Sequence, residues 1–155
     1  MDYLFYESPI GRLTVLLESD VIRGIVFGHH VPDGEFNKDP VLGLRIYDEM
    51  DAYFSGKSNK LNLKYRPDGT DFQKRVWKEL LKIPYGETKS YSEIAEAIGR
   101  PAAVRGIGTA CGSNPIPLLI PCHRVVGKDG SLTGFAGGLD KKKFLLELEK
   151  DINKT

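Results

Sequence analysis

The sequence predicts an α+β protein in two halves, a strand-rich α/β scaffold over residues 1–69 and a helical domain over 70–155 with a helix-turn-helix. Three observations predict it. Short Val/Ile/Leu-rich stretches dominate before residue 40, apolar residues recur at helical spacing over most of the chain beyond it, and the charge changes sign between the halves. Residues 1–70 carry 8 basic and 11 acidic side chains, net −3, whereas 71–155 carry 14 and 10, net +4. The total of +1 hides this asymmetry, and only the second half suits a polyanion.

Each element has a local cause. Tyr3 to Tyr6 is a first strand, and Arg12 to Glu18 and Val21 to Phe27 form a hairpin around Ser19-Asp20. From Pro40, Leu42, Ile46, Met50 and Tyr53/Phe54 repeat as a helix face, with Asp39 as cap, Pro40 in the first turn and Gly56 as stop. Leu61, Leu63 and Tyr65 alternate as a short strand, and Arg66-Pro67-Asp68-Gly69 is a turn-type linker. Thr70-x-x-Gln73 is a capping box for a helix presenting Phe72, Val76, Trp77, Leu80 and Leu81, ended by Pro84-Tyr85-Gly86. A second box, Ser90-x-x-Glu93, opens a short helix with Ile94, Ala95 and Ile98 inward. After Gly99, Pro101 suits the first turn of a further helix reaching about Cys111, joined by about three residues in the manner of a helix-turn-helix. An extended run from Ile116 to Ile120 comes next, then a C-terminal helix from Asp140 to about Asp151.

Composition narrows the function classes. A chain of 155 residues with 41% hydrophobic content can bury a core without disulfides. Two cysteines, no CxxC pair and three histidines leave little room for a structural zinc site or a disulfide framework, so the thiols are expected to be free. His29-His30 sits in a Gly/Pro loop without a third ligand nearby and is read as loop. The longest apolar runs are far short of a membrane span and no signal peptide is visible, so a cytoplasmic protein is expected.

Two segments carry chemistry. The second helix of the helix-turn-helix is built of Ala102, Ala103, Gly106, Gly108 and Ala110, with Arg105 as the sole charge. Glycine costs about 1 kcal/mol relative to alanine in a helix interior, so two of them want a reason. Close helix packing would supply it, and so would close approach to nucleic acid. Further on stands Pro121-Cys122-His123-Arg124-Val125-Val126. A buried free cysteine is usually inert packing, but an adjacent imidazole can take the thiol proton, directly or through water, and leave a thiolate.

The string Pro121-Cys122-His123-Arg124-Val125, preceded by Asn114-Pro115 and followed by Gly137-Gly138-Leu139, resembles the active-site signature of the O6-alkylguanine-DNA alkyltransferases. The resemblance covers about residues 71 to 150, and the first half fits the family's ribonuclease-H-like domain in outline. It implies a winged-helix-like second domain and a monomer acting on double-stranded DNA that contains alkylated guanine, with O4-alkylthymine as a second candidate lesion. The base is flipped out and its alkyl group passes irreversibly to the cysteine, without metal, nucleotide or flavin. Cys122 is then the acceptor, His123 its base through a water, and Glu149 the orienting carboxylate, which would otherwise read as a solvated helix-face residue. Asn114 is the hinge asparagine, Tyr91 the donor to the departing guanine, and Arg105 the finger in the vacated base position. Ala102, Ala103, Gly108 and Ser92 are placed at the DNA, and Tyr91, Val125, Phe135 and Ala136 around the extruded base.

Phe135-Ala136 departs from members that carry hydroxyl or basic side chains before the paired glycines, so contacts from this loop must come from backbone amides. Cys111 has no adjacent base and is read as packing. Lys141-Lys142-Lys143 reads as a solvated helix start, and the resemblance makes only a weak match of Lys142 to a lysine near the family's site. Two readings from other classes stay open on these residues. One is a non-catalytic DNA-binding module, which Cys122 argues against; the other is a thiol hydrolase, which would turn over repeatedly.

Overall fold

Strand pairing organises the first half of the computed structural model, which describes residues 1–28, 31–135 and 137–153, the last three without side chains. His29, His30 and Ala136 lie outside the described residues. Strands β1 (Asp2–Ser8), β2 (Gly11–Glu18) and β3 (Val21–Phe27) form an antiparallel meander, and β4 (Glu35–Phe36) pairs parallel to β1, giving the order β3-β2-β1-β4. Register puts Leu4 opposite Val15 and Tyr6 opposite Leu13, so one face is a continuous apolar layer that Ile25 extends. Ser19 takes the left-handed conformation the tight β2–β3 turn requires, with φ +56°.

Helix α1 (Pro40–Phe54) covers that layer. Asp39 accepts from the amides of Val41 and Leu42, and Ile46, Met50, Tyr53 and Phe54 are buried. Tyr6 stacks between Tyr47 and Phe54 at 6.1 and 6.0 Å. The strand expected over Leu61, Leu63 and Tyr65 does not form. The segment makes only an isolated bridge to β3, in which the Ile22 amide donates to Lys64 and the Arg66 amide to Ile22. Leu63 is buried by crossing the sheet edge rather than by extending the sheet.

The second half is a helical cluster. α2 (Asp71–Leu80) starts with both bonds of the Thr70/Gln73 capping box and buries Val76, Trp77 and Leu80; Leu81, one residue past its end, is exposed instead of sharing the face. The Trp77 indole donates to the Ala110 carbonyl at 2.8 Å, tying α2 to the helix-turn-helix. A Cβ at Gly69 would meet the Trp77 ring at 2.5 Å, so the linker glycine is required by that close approach. β5 (Lys89–Ser90) leads into α3 (Tyr91–Ala97), capped by the Ser90/Glu93 box.

α4 (Val104–Gly112) starts three residues later than expected. Pro101 disfavours helical backbone at Arg100, and residues 100–103 close a separate turn in which the Ala103 amide donates to Arg100. Ala102 and Ala103 therefore precede the helix, and the connection from α3 runs over residues 98–103. β6 (Val125–Val126) pairs parallel with β5, and α5 (Leu139–Asn153) closes the domain. The halves are in contact: the Ile25 amide donates to Pro115 at 2.9 Å, and Phe27 packs on Phe135 at 5.4 Å. Among the described residues no helix is long and apolar enough to cross a membrane.

Candidate active site

The segment before Cys122 is a tight turn rather than the extended run expected. The Ile120 amide donates to Ile116, Pro117 bridges Ile120, and Leu118 is left-handed at φ +76°, a conformation periodicity cannot reveal. Asn114 fixes this turn. Its Nδ2 donates to the Ile120 carbonyl at 2.8 Å, and its Oδ1 accepts from the Ile116 amide at 2.9 Å. Cys122 opens a single 3-10 turn, Cys122–Arg124, and is 6% exposed. Burial pushes its thiol above the ordinary value of 9, with Asn114 and Lys142 opposing, so at neutral pH it rests protonated. Cys111, buried nearby on α4, is pushed up to about 12, chiefly by burial.

Behind the thiol lies a buried polar network. His123 is wholly buried, and its Nε2 stands 2.7 Å from Glu149 Oε2. An ionised carboxylate only accepts, so Nε2 carries the hydrogen and Nδ1 the lone pair. Nδ1 is buried with no hydrogen-bond partner, and no hydrogen bond joins the ring to Cys122. Burial lowers the His123 pKa below 6.5 despite Glu149, so the imidazole rests neutral. Burial alone would raise Glu149, but donation from His123 and Arg124 outweighs it and holds the carboxyl well below its usual range. Arg124 supplies Nε to Oε1 at 2.8 Å and Nη2 to Oε2 at 3.1 Å, while its Nη1 donates to the Ile83 carbonyl at 2.8 Å. Tyr53 donates to Oε2 at 2.6 Å, and the Gly86 amide reaches Oε1 at 3.4 Å.

Lys142 is buried, against the expectation of a solvated lysine run. Its Nζ donates to the carbonyls of Val125 at 2.6 Å and Thr133 at 2.7 Å, pinning the loop after β6 to the strand. The Tyr91 hydroxyl meets the same Thr133, donating to its carbonyl at 3.3 Å and accepting from Oγ1 at 3.0 Å. Burial raises the Tyr91 pKa, and both thiols add to that. Tyr91 and Thr133 wall an apolar groove of about 610 Å³ whose other lining includes Val104, Arg105, Gly108, Thr109 and Phe135. Arg105 is exposed at this groove. Nothing lies within 4 Å of a Cβ placed on Gly108, whereas one on Gly106 would touch Phe72 at 3.3 Å. Of the two glycines, one serves helix packing and the other faces open space.

The structure therefore brings Cys122, His123, Glu149 and Asn114 together in one buried cluster, and Tyr91, Arg105, Gly108 and Phe135 onto the groove. Ala102, Ala103 and Ser92 do not line it, and the Val125 side chain is wholly buried, contributing its carbonyl to Lys142 instead of a wall. Sequence reasoning missed Arg124, Thr133 and Tyr53, and read Lys142 as solvated although the resemblance matched it to a lysine near the family's site. Arg124 and Lys142 left a signal: Arg124 is a lone charge in an apolar run, and Lys142 stands on the helical face of Leu145 and Glu149. Among the described residues no cluster of three His, Cys, Asp or Glu side chains could hold a metal ion.

Comparison with known proteins agrees across the whole chain. Residues 1–67 match the 6-O-methylguanine DNA methyltransferase ribonuclease-like domain, and residues 71–151 match the DNA binding domain of the same family. A methylated-DNA–protein-cysteine methyltransferase of Methanosarcina mazei is 52% identical, over 97% of this chain and 98% of that one. Its counterpart in Methanosarcina barkeri is 46% identical over the same shares. The crystal structure of Mycobacterium tuberculosis OGT in complex with DNA superposes with a TM-score of 0.90 at 44% identity, covering 98% of this chain and 94% of that one.

Proposed function

The chain belongs to the 6-O-methylguanine DNA methyltransferase family, and on that premise we propose that it repairs O6-alkylguanine in duplex DNA by transferring the alkyl group irreversibly to Cys122. One observation carries the assignment: the buried thiol adjoins an imidazole whose Nε2 is committed to Glu149, leaving the lone pair of Nδ1 to take a proton.

Cys122 rests as a thiol, so it is activated in place. His123 Nδ1 takes the proton through an intervening water, and the imidazolium formed is stabilised by Glu149. The sulfur attacks the alkyl carbon, a C–S bond forms as the C–O6 bond breaks, and the electron pair leaves on the guanine. Tyr91 donates to the departing base, where negative charge develops. The thioether has no further step that would release it, so each chain acts once. Asn114 keeps the acceptor turn in register with α4.

The extruded base occupies the groove beside Tyr91 and Phe135, while Val125 acts through its backbone. Arg105 fills the position the base has left. The N-terminus of α4 has no side-chain cap, which leaves its amides for phosphate, and the small Ala102 and Ala103 just ahead let the backbone approach. Ser92, in the first turn of α3, contacts the adjoining backbone. The protein acts as a monomer, and its two halves divide at residues 69 and 70.

An O6-methylguanine duplex in excess should add one methyl group per chain, on the Cys122 peptide, by mass spectrometry. A folded chain whose Cys122 stays unmodified, or which turns over repeatedly, would overturn the assignment.

A further inference from the structure

Tyr53 belongs to α1, in the half that the sequence marks as scaffold, yet its hydroxyl lies 2.6 Å from Glu149 Oε2. That oxygen is the one His123 Nε2 approaches at 2.7 Å. Tyr53 is 2% exposed, and its ring packs edge-on against Phe54 and Tyr85 at 5.3 and 6.2 Å, so packing fixes where the hydroxyl stands. Burial, and then the neighbouring carboxylate, raise its pKa well above 10, so it remains a donor across the working range of the protein.

We propose that Tyr53 is a positioning residue for alkyl transfer: its hydroxyl fixes the Glu149 oxygen facing His123 and takes up part of its charge, keeping the imidazole neutral with Nδ1 free. The inference rests on the roles proposed above for Cys122 and His123. A buried carboxylate with fewer donors pulls harder on the proton of the imidazole, which favours imidazolium and withdraws the base. The other charged or titratable groups facing His123 are Lys142 and Glu149 from α5, and Arg124 and Cys122 on its own turn. Lys142 and Arg124 oppose imidazolium and Glu149 favours it, so loss of the Tyr53 hydroxyl strengthens the one group that favours it. The outer partners of ligating histidines act in the same way, through orientation and basicity.

The test is the rate of transfer as a function of pH in Tyr53→Phe, with both an O6-methylguanine duplex and free O6-benzylguanine at saturation. The acidic limb should move up by about one pH unit, slowing transfer about tenfold below it, while duplex affinity is unchanged. A limb that does not move, or an equal loss at every pH, would mean a packing role and overturn the proposal. In a Glu149→Gln background, Tyr53→Phe should shift nothing further; a further shift of the same size also overturns it. Nitrogen-15 spectra of the His123 ring in the wild-type chain, which need no variant, should show the neutral Nε2–H tautomer at neutral pH, and an imidazolium signal counts against it. An alkylated Cys122 together with an unmoved limb sinks this inference alone, whereas methyl transfer that survives Cys122→Ser sinks the acceptor assignment beneath it.

Discussion

Five hydrogen-bond contacts converge on the two oxygens of Glu149, two from Arg124 and one each from His123, Tyr53 and Gly86. The positive charge of Arg124 is what lets an ionised carboxylate sit 1% exposed in the core while the imidazole beside it stays neutral. Lys142 uses the same economy of position two turns earlier on α5, exchanging water for two carbonyls. Lys142→Met keeps the length of the stem but takes the donor from the buried Val125 carbonyl and leaves Thr133 with the Tyr91 hydroxyl alone, so it should lower stability by about 1–3 kcal/mol in chemical denaturation. It should also slow transfer, because Thr133 would no longer be held against Tyr91. Wild-type stability and rate in this variant would show that the lysine is incidental. The Cys-His pair is visible in the sequence because adjacency in the chain survives folding. Tyr53 is not, because 96 positions separate it from Glu149 and no periodicity within α1 marks a hydroxyl destined for another domain.

At the scale of elements, α4 divides its small residues between two tasks. Gly106 meets Phe72 of α2, while Gly108 faces the groove with open space above it. Gly108→Ala therefore has room in the free protein and should stabilise it by about 1 kcal/mol through helix propensity alone. The same methyl group narrows the groove, so transfer from duplex DNA should slow much more than reaction with free O6-benzylguanine. Equal rates on duplex with and without the methyl group would place the DNA elsewhere. The helices of this half were legible wherever a local device announces them. Thr70/Gln73 and Ser90/Glu93 mark the starts of α2 and α3 through bonds made within four residues. α4 has no such device, and Pro101, a good first-turn residue by its own φ, instead belongs to the separate turn before it. The turn at Ile116–Ile120 was equally hidden: its apolar residues are buried on all sides, which in sequence looks like a central strand.

For the whole molecule, the buried groups whose protonation changes between the folded and unfolded chain set a window of stability. His123 has a folded pKa below its ordinary 6.5, and Glu149 one below its ordinary 4.5. Below each of those values the unfolded chain binds more protons than the folded one, so stability falls as pH drops past 6.5 and falls more steeply past 4.5. The thiols act at the other end. Unfolded, Cys111 and Cys122 ionise near 9, whereas in the fold Cys111 keeps its proton up to about 12 and Cys122 is raised as well. Stability is therefore full below 9 and is lost as pH rises through the folded values of the thiols. Lys142, whose pKa burial lowers from 10.5, works against that loss, so the alkaline limb reads most clearly just above 9. Denaturant melts between about pH 4 and 10 should give a plateau between the two limbs. Cys111→Ala should flatten the alkaline limb and leave the acidic one in place, since Cys111 faces neither Glu149 nor its donors. A stability maximum on the acid side of 6.5 would mean that the His123–Glu149 pair is charged in the resting protein, and with it the neutral base that the transfer chemistry requires would be lost.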